Sequence, residues 1–164
     1  MWLNGTSQYA IRAVLYVAGR DQPGPVRVDE IAAALHCPRN YLSKTLHALA
    51  HAGVLQSTRG PKGGFRLAEP AERLPLARVI APFEPATARR CLIGRPDCGG
   101  ANPCLAHHRW ERVAGAVTDF FEQTTVADLL SGGPVSPAVP RSRPRRSPPR
   151  ARPAASAKSA TQRR

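Results

Sequence analysis

Four side chains that bind soft metals lie within one short stretch of the sequence. They are Cys91, Cys98, Cys104 and His107. Thiolates and imidazoles are the ligands that proteins use for zinc and for iron–sulfur clusters. The segment between residues 90 and 105 is also interrupted by glycines and prolines and has no helical periodicity. The sequence therefore predicts a metal-binding loop over 91–107.

The spacing of the four candidate ligands favours an iron–sulfur cluster. They follow the pattern Cys-x6-Cys-x5-Cys-x2-His, which is wider than the Cys-x2-Cys pairs of zinc fingers. Three thiolates and one imidazole would supply the four ligands of a [2Fe–2S] cluster, which we favour over a [4Fe–4S] cluster. A zinc ion remains an alternative. His108 is an alternative to His107 as the imidazole ligand. Adjacent helical side chains point about 100° apart, so only one of the two can easily face the cluster.

The composition predicts one domain, over 1–130, followed by a basic tail. The chain has 164 residues and a formal charge of +13. Nine of the 24 Lys and Arg residues, and no acidic residue, fall in 131–164, which leaves 15 basic against 11 acidic residues upstream. That excess suits a surface that binds phosphate. The tail is rich in proline and lacks hydrophobic periodicity, so we expect it to be disordered.

The sequence also predicts a cytoplasmic protein. No stretch is apolar enough to span a bilayer, and the N-terminus lacks a signal-peptide pattern. In a reducing compartment, closely spaced cysteines form metal or redox sites more often than disulfides. Cys37 lies far from the loop, before the first proline of a helix. We expect it to be a small, partly buried residue without a role of its own.

Three amphipathic helices precede the loop. The first is expected to begin after Thr6 or Ser7, and its apolar residues recur at i, i+3, i+4 and i+7 from Ala10. The second is expected over 28–35, and the third from Pro38 to about residue 50, since proline is tolerated in the first turn of a helix. Two short helices joined by a tight turn predict a helix-turn-helix, whose second helix enters the major groove of DNA.

A glycine-rich hairpin follows these helices. Strands over 53–59 and 65–67 flank the segment 60–64, which has three glycines. A hairpin beside a recognition helix is typical of a wing that meets phosphates or the minor groove. The third helix has a polar face that could contact bases; the alternative is that this face is only exposed to solvent. The predicted DNA contacts of the helix and the wing are Arg39, Asn40, Tyr41, Ser43, Lys44, Thr45, Arg59, Pro61 and Lys62.

A long helix over about 105–123 follows the cysteines and has an aromatic-rich apolar stripe. Packing all of this stripe within one small domain would leave much of it in water, which favours a symmetric dimer interface. Packing into the chain's own core is the alternative. The predicted dimerisation residues are Trp110, Val113, Val117, Phe120 and Phe121.

These motifs together resemble the Rrf2 family of bacterial transcription regulators. The resemblance covers roughly residues 2–130 and is most specific in the wing, Arg-Gly-Pro-Lys-Gly-Gly-Phe-Arg-Leu at 59–67. It implies a winged helix-turn-helix homodimer that binds near-palindromic operators, with a long C-terminal helix crossing to the partner. Members with three cysteines in the corresponding loop include regulators of iron–sulfur cluster biogenesis and nitric oxide sensors. In the former, the position of His107 is implied to be the fourth ligand.

The sequence analysis therefore predicts a mainly α protein with a small β-hairpin wing and a long dimerisation helix. We expect a DNA-binding repressor that senses iron–sulfur status, redox conditions or nitric oxide through a cluster. A zinc-stabilised regulator, a thiol-switch regulator without a cluster, and a protein acting through a metabolic-enzyme partner are the alternatives. An enzyme is not expected, because the sequence has no identifiable nucleophile with a base, phosphate-cradling loop before a helix, or pair of catalytic carboxylates.

Overall fold

The computed structural model describes residues 3–21, 24–60, 63–84 and 91–132. The elements, in chain order, are α1 (Gly5–Ala18), α2 (Val28–Ala34), α3 (Arg39–His51), β1 (Leu55–Thr58), β2 (Gly64–Leu67), a short 3-10 helix (Ala71–Arg73), α4 (Leu76–Ile80), α5 (His107–Gln123) and α6 (Val126–Ser131). The predicted fold class, a winged helix-turn-helix with a long C-terminal helix, is confirmed.

Helix α1 lies at the centre of the fold and contacts α2, α3, β2, α4 and α6. Small side chains on its inner face allow this close approach, and Ala10, Ala13 and Val14 are completely buried. The helix begins at Gly5, earlier than predicted, because the side chain of Asn4 caps it by accepting a 2.8 Å hydrogen bond from the backbone N–H of Ser7.

Ser7, one of the two predicted caps, has a different role. Its side chain is completely buried and its hydroxyl donates a 2.6 Å hydrogen bond to Oε1 of Glu84. The same carboxylate oxygen accepts a 3.0 Å bond from the backbone N–H of Asn4. This network fixes the start of α1 to the chain just after α4.

Helices α2 and α3 form the helix-turn-helix. The turn contains His36 in the left-handed conformation, with φ of 49°, and Pro38 caps α3, so that α3 itself starts one residue later than predicted. Leu42, Leu46 and Leu49 are fully buried and hold α3 against the core. The opposite side of α3 is left facing solvent.

The wing is a two-stranded antiparallel hairpin in which Leu55 pairs with Leu67 and Thr58 with Gly64. Residue 65 also pairs with Val26, which ties the wing to the segment before α2. A Cβ atom at Gly64 would lie 2.3 Å from the carbonyl oxygen of Val26, so a side chain at this position would push the wing away from that segment. Strand β1 is shorter than predicted because Gly53, with φ of 71°, still belongs to the turn after α3, whereas β2 begins at Gly64, one residue earlier than predicted.

The C-terminal part packs behind the helix-turn-helix. Helix α5 contacts α4, and α6 contacts both α1 and the 3-10 helix. A capping box between Thr125 and Asp128 starts α6, which ends at Ser131, one residue inside the predicted tail. The rest of that tail, 133–164, lies outside the described residues. In the part of the chain that the structure describes, every helix is too short or too polar to cross a bilayer.

The buried Ser7 hydroxyl generates a stability prediction. Ser7→Ala leaves a Glu84 oxygen with one donor fewer, and we expect it to lower the free energy of unfolding by about 1–3 kcal/mol. Ser57→Ala, an exposed strand position, is the matched control and should change the same quantity by no more than about 0.5 kcal/mol. Urea unfolding curves measure both, and equal effects of the two substitutions would contradict the structural role of Ser7.

Candidate metal centre and DNA-binding face

The predicted loop brings its three cysteines together. The Sγ atoms of Cys91, Cys98 and Cys104 all lie within 4.8 Å of one another, and those of Cys91 and Cys104 are 3.6 Å apart. Tight backbone turns produce this convergence: the N–H of Gly94 donates to the carbonyl of Cys91 at 3.0 Å, and the N–H of His107 donates to that of Cys104 at 3.0 Å. Cys104 is buried, whereas the other two sulfurs are only partly covered.

His107, the predicted fourth ligand, lies beside this sulfur cluster. Its Nδ1 is 3.3 Å from Sγ of Cys98, and its Nε2 is 3.8 Å from Oε2 of Glu111, one turn further along α5. Metal-binding histidines commonly present their second nitrogen to a carboxylate, which fixes the ring orientation. His108 is exposed and stacks edge-on against His107 at 5.4 Å between ring centroids. The geometry therefore favours His107 over His108 as a ligand.

The thiols of the loop differ in acidity. Burial opposes ionisation of Cys91, but the backbone N–H groups of Arg95 and Ile93 and the neighbouring thiols stabilise its thiolate and lower its pKa to about 7. For Cys98 the N–H of Cys104 acts in the same direction, yet burial and the other two sulfurs raise the pKa above its ordinary value. Of Cys91 and Cys98, Cys91 is therefore the thiol that ionises more readily near neutral pH.

The donor set fits the groups predicted from the sequence. Thiolate and imidazole ligands suit both zinc and iron–sulfur centres. Two contacts, Cys91 with Cys104 at 3.6 Å and Cys98 with His107 at 3.3 Å, group the donors in twos, although all three sulfurs lie within 4.8 Å of one another. In a [2Fe–2S] centre each iron takes two protein ligands, so this grouping is compatible with one. Sulfurs bound tetrahedrally to one zinc at 2.3 Å lie about 3.8 Å apart, so the short Cys91–Cys104 distance is also compatible with zinc.

Cys37 lies apart from this group, in the hydrophobic core before α3. Burial raises the pKa of its thiol, and the positive charge of Arg12 only partly opposes the increase. A protonated, buried thiol is a poor nucleophile. This agrees with the expectation that Cys37 has no chemical role of its own.

A second candidate site is the groove between the helix-turn-helix and the wing. It has a volume of about 460 Å³. Its ionisable lining residues come from three elements: Arg27 and Asp29 from the start of α2, Arg39, His47 and His51 from α3, and Arg59 from the wing. Arg27 and Asp29 were not predicted as site residues, because the sequence pattern of a helix-turn-helix marks only its second helix as the DNA-contacting one.

The predicted DNA contacts on α3 do not all face solvent. Arg39, Asn40 and Lys44 are exposed and Ser43 is half-buried. Thr45 is only 3% exposed and its hydroxyl donates to the carbonyl of Tyr41, so its prediction as a DNA contact is wrong. Helical periodicity explains the error, since Thr45 lies three residues after Leu42 and shares its buried face.

Two other predicted DNA contacts, Tyr41 and Arg59, lie in different parts of the structure. The Tyr41 hydroxyl is hydrogen-bonded to Thr6 at 2.7 Å, and its ring meets that of Tyr9 edge-on, so Tyr41 joins α3 to α1 while staying 39% exposed. Arg59, a predicted DNA contact, lines the groove between the helix-turn-helix and the wing. Pro61 and Lys62 lie outside the described residues.

Helix α5 has a large apolar surface. Ala114 is its one buried residue in the structure, whereas Val113 and Phe120 are about half exposed. Trp110 and Val117 are partly covered, and the exposed Leu92 and Leu105 extend the surface towards the cysteine loop. Phe121, a predicted dimerisation residue, instead packs against the chain's own core. This partly buried position favours the intramolecular alternative for Phe121.

Comparison with known proteins decides the family. The profile of the Rrf2 family, described as an iron-dependent transcriptional regulator, matches residues 3–132. The chain belongs to the Rrf2 family. This membership assigns DNA binding to its winged helix-turn-helix and confirms the resemblance found in the sequence.

Individual Rrf2-type proteins agree with this assignment. A putative HTH-type transcriptional regulator of Aquifex aeolicus is 37% identical over 135 residues, which are 80% of this chain and 92% of the relative. The HTH-type transcriptional regulator IscR of Vibrio vulnificus is 35% identical over 82% of this chain and 80% of its own length. The structure of CymR, the global cysteine regulator of B. subtilis, superposes with a TM-score of 0.68 over 80% of this chain and 98% of CymR. At 22% identity, that likeness shows the fold alone.

The unequal acidity of the loop thiols generates a pH prediction. In metal-free protein, iodoacetamide should modify Cys91 first, because the reactive species is the thiolate and the pKa of Cys91 is lowered to about 7. Its labelling rate should rise as pH increases through 7, whereas that of Cys98 should rise at a pH above the ordinary range of a thiol. Peptide mass spectrometry after brief labelling at a series of pH values measures both rates. Equal labelling of the two cysteines at every pH would contradict the assignment.

Proposed function

We propose that this Rrf2-family chain is a repressor whose cysteine loop binds an iron–sulfur cluster, [2Fe–2S] in type, and whose affinity for DNA depends on that cluster. The observation that carries the proposal is the convergence of three sulfurs within 4.8 Å beside the first residue of α5. The description of the family as iron-dependent supports iron as the metal. The relatives that it matches are named as transcriptional regulators, which supports a regulatory role over an enzymatic one.

The proposed ligands are Cys91, Cys98, Cys104 and His107. When bound, the cluster would supply a centre that gains and loses electrons and reacts with oxidants or nitric oxide. Cys91 ionises near neutral pH and so provides a thiolate without a strong base. Glu111 faces Nε2 of His107 and would keep Nδ1 turned towards the sulfur cluster.

The proposed path from the loop to the recognition helix runs through three helix–helix contacts. His107 is both a proposed ligand and the first residue of α5. Helix α5 contacts α4, and α4 contacts α1, which in turn contacts α3. A change in the loop can therefore shift α5 and, through this packing, the recognition helix. For the loop to act as a switch, the shifted and unshifted arrangements of α5 and the recognition helix must bind the metal centre with different affinities.

The chain is proposed to act as a homodimer on a near-palindromic operator. The half-exposed residues of α5 and the adjoining loop form one apolar surface that would be covered by the same surface of a second copy. A two-fold dimer presents two copies of α3, which matches the two half-sites of a near-palindromic operator. Arg39, Asn40, Ser43, Lys44 and Arg59 are the proposed contacts from each copy.

Zinc is the second candidate for the loop. The 3.6 Å separation of Cys91 and Cys104 equals, within a few tenths of an ångström, the separation of two sulfurs on one tetrahedral zinc ion. A zinc-bound loop would use the same four residues to stabilise the start of α5, without redox chemistry. A metal-free thiol switch would use the same close pair of sulfurs to form a disulfide.

One measurement on three proteins separates these candidates. Ultraviolet–visible spectra of anaerobically purified wild-type protein, with iron, sulfide and zinc assays, should show visible absorbance and stoichiometric iron and sulfide. Cys98→Ala should lose most of the iron and colour, whereas Cys37→Ala, the matched control outside the loop, should retain them. A colourless wild type containing zinc would support the zinc candidate, and one that binds no metal after reconstitution would overturn both.

The apolar surface of α5 generates a prediction on assembly. Phe120→Asp places a charge on this surface and should convert the dimer to a monomer, because an uncompensated charge cannot be buried in an apolar interface. Glu122→Lys is the matched control, since residue 122 is exposed and lies about 200° around the helix from residue 120. Sedimentation equilibrium distinguishes the two species. A Phe120→Asp dimer as stable as the wild type would place the interface elsewhere.

A further inference from the structure

The groove between α3 and the wing contains one carboxylate among its basic residues. Of the described residues that line it, Asp29 is the only acidic one, and it lies with three arginines and two histidines. A carboxylate is unfavourable on a surface that approaches DNA phosphates. Its presence in this groove therefore calls for a specific role.

Asp29 bridges two of those arginines. Its Oδ1 accepts a hydrogen bond from Nε of Arg39, and its Oδ2 lies 3.7 Å from Nη2 of Arg27. All three side chains are more than half exposed. Ion pairs this exposed contribute little to folding stability. The arrangement is therefore better explained by what it does to the arginines than by what it does for the fold.

The bond to Asp29 uses the Nε atom of Arg39. The two terminal nitrogens of Arg39 make no hydrogen bond within the described part of the chain. Those terminal donors suit a bidentate contact with O6 and N7 of guanine in the major groove. Arg39 is the first residue of α3, and the N-terminal residues of a recognition helix are the ones that contact base edges.

We propose that Asp29 is a specificity-determining residue that positions Arg39 for a guanine and keeps it from binding a phosphate. The carboxylate holds the guanidinium by one edge and leaves the other edge available for the base. Its negative charge also repels the phosphate backbone, which would otherwise compete for the arginine. The positive charge of Arg27 partly offsets the negative charge on the second carboxylate oxygen of Asp29. The inference rests on the proposed function, because it requires α3 to contact bases.

The test compares two DNA probes. One is a duplex that wild-type protein enriches from a random-sequence library, and the other is a scrambled duplex of the same length and composition. The measured quantity is the specificity ratio, which is the dissociation constant for the scrambled duplex divided by that for the enriched duplex. Asp29→Asn should lower this ratio about 10-fold, the order expected for losing one bidentate base contact, while binding to the scrambled duplex stays equal or becomes tighter.

Three further variants assign the effect to Arg39. Arg39→Lys keeps the positive charge but lacks Nε, and should lower the ratio as much as Asp29→Asn does. In an Arg39→Ala background, Asp29→Asn should change the ratio by less than about twofold, because Asp29 acts through the missing residue. Glu72→Gln, which removes an exposed carboxylate from the 3-10 helix, is the matched control and should leave the ratio unchanged.

The outcomes separate this inference from the proposed function. A wild type that enriches no sequence overturns both. If the wild type enriches a sequence but Asp29→Asn keeps the wild-type ratio, the role of Asp29 alone is overturned. Equal weakening on both probes would show a structural role, and an undiminished effect of Asp29→Asn in the Arg39→Ala background would show that Asp29 does not act through Arg39.

Discussion

The packing around α1 is the constraint on which the rest of the structure depends. Because Ala10, Ala13 and Val14 are small and completely buried, five other elements can contact one helix of 14 residues. The recognition helix and the wing lie against α1 together with α4 and α6, which belong to the C-terminal part. A larger side chain on this face would separate the DNA-binding elements from the elements that support the cysteine loop. The fold thus joins the DNA-binding elements to the elements beside the cysteine loop through one densely packed helix.

Helix α5 contrasts with α1. It is 17 residues long but buries only one of them within this chain, so its position depends on α4, on the cysteine loop at its start and, in our proposal, on a second copy of the protein. A helix held so weakly by its own domain is well suited to respond to a metal centre. His107, the proposed fourth ligand, begins the helix, and its side chain also faces Glu111 one turn later. Loading of the loop would therefore act on the orientation of α5 directly.

Much of the fold and of the candidate site could be predicted from the sequence, because hydrophobic periodicity and turn-forming residues are local signals. The buried leucines of α3, the glycines of the wing and the clustered cysteines all identify their elements without a structure. Most of the errors arose where long-range contacts decide, whereas the error at Thr45 overlooked a local signal, the helical periodicity. Asn4 caps α1 in place of Ser7, whose hydroxyl is used by Glu84, 77 residues away. Thr45 is polar but shares the buried face of its helix, and Phe121 faces the core although it belongs to an apparently continuous stripe. The pairing of Asp29 with Arg39 depends on the angle between two helices, which no sequence pattern specifies.

The central claim is that the metal centre and the DNA-binding face are coupled, and one measurement tests it most directly. The affinity for a duplex enriched by the wild-type protein should be determined anaerobically for the metal-loaded protein and for the same protein after metal removal, with Cys98→Ala treated identically. We expect the two wild-type forms to differ about 10-fold or more in affinity, and the variant to bind equally before and after the treatment. Equal affinities of the loaded and metal-free wild type would contradict the coupling and leave the loop a purely structural site.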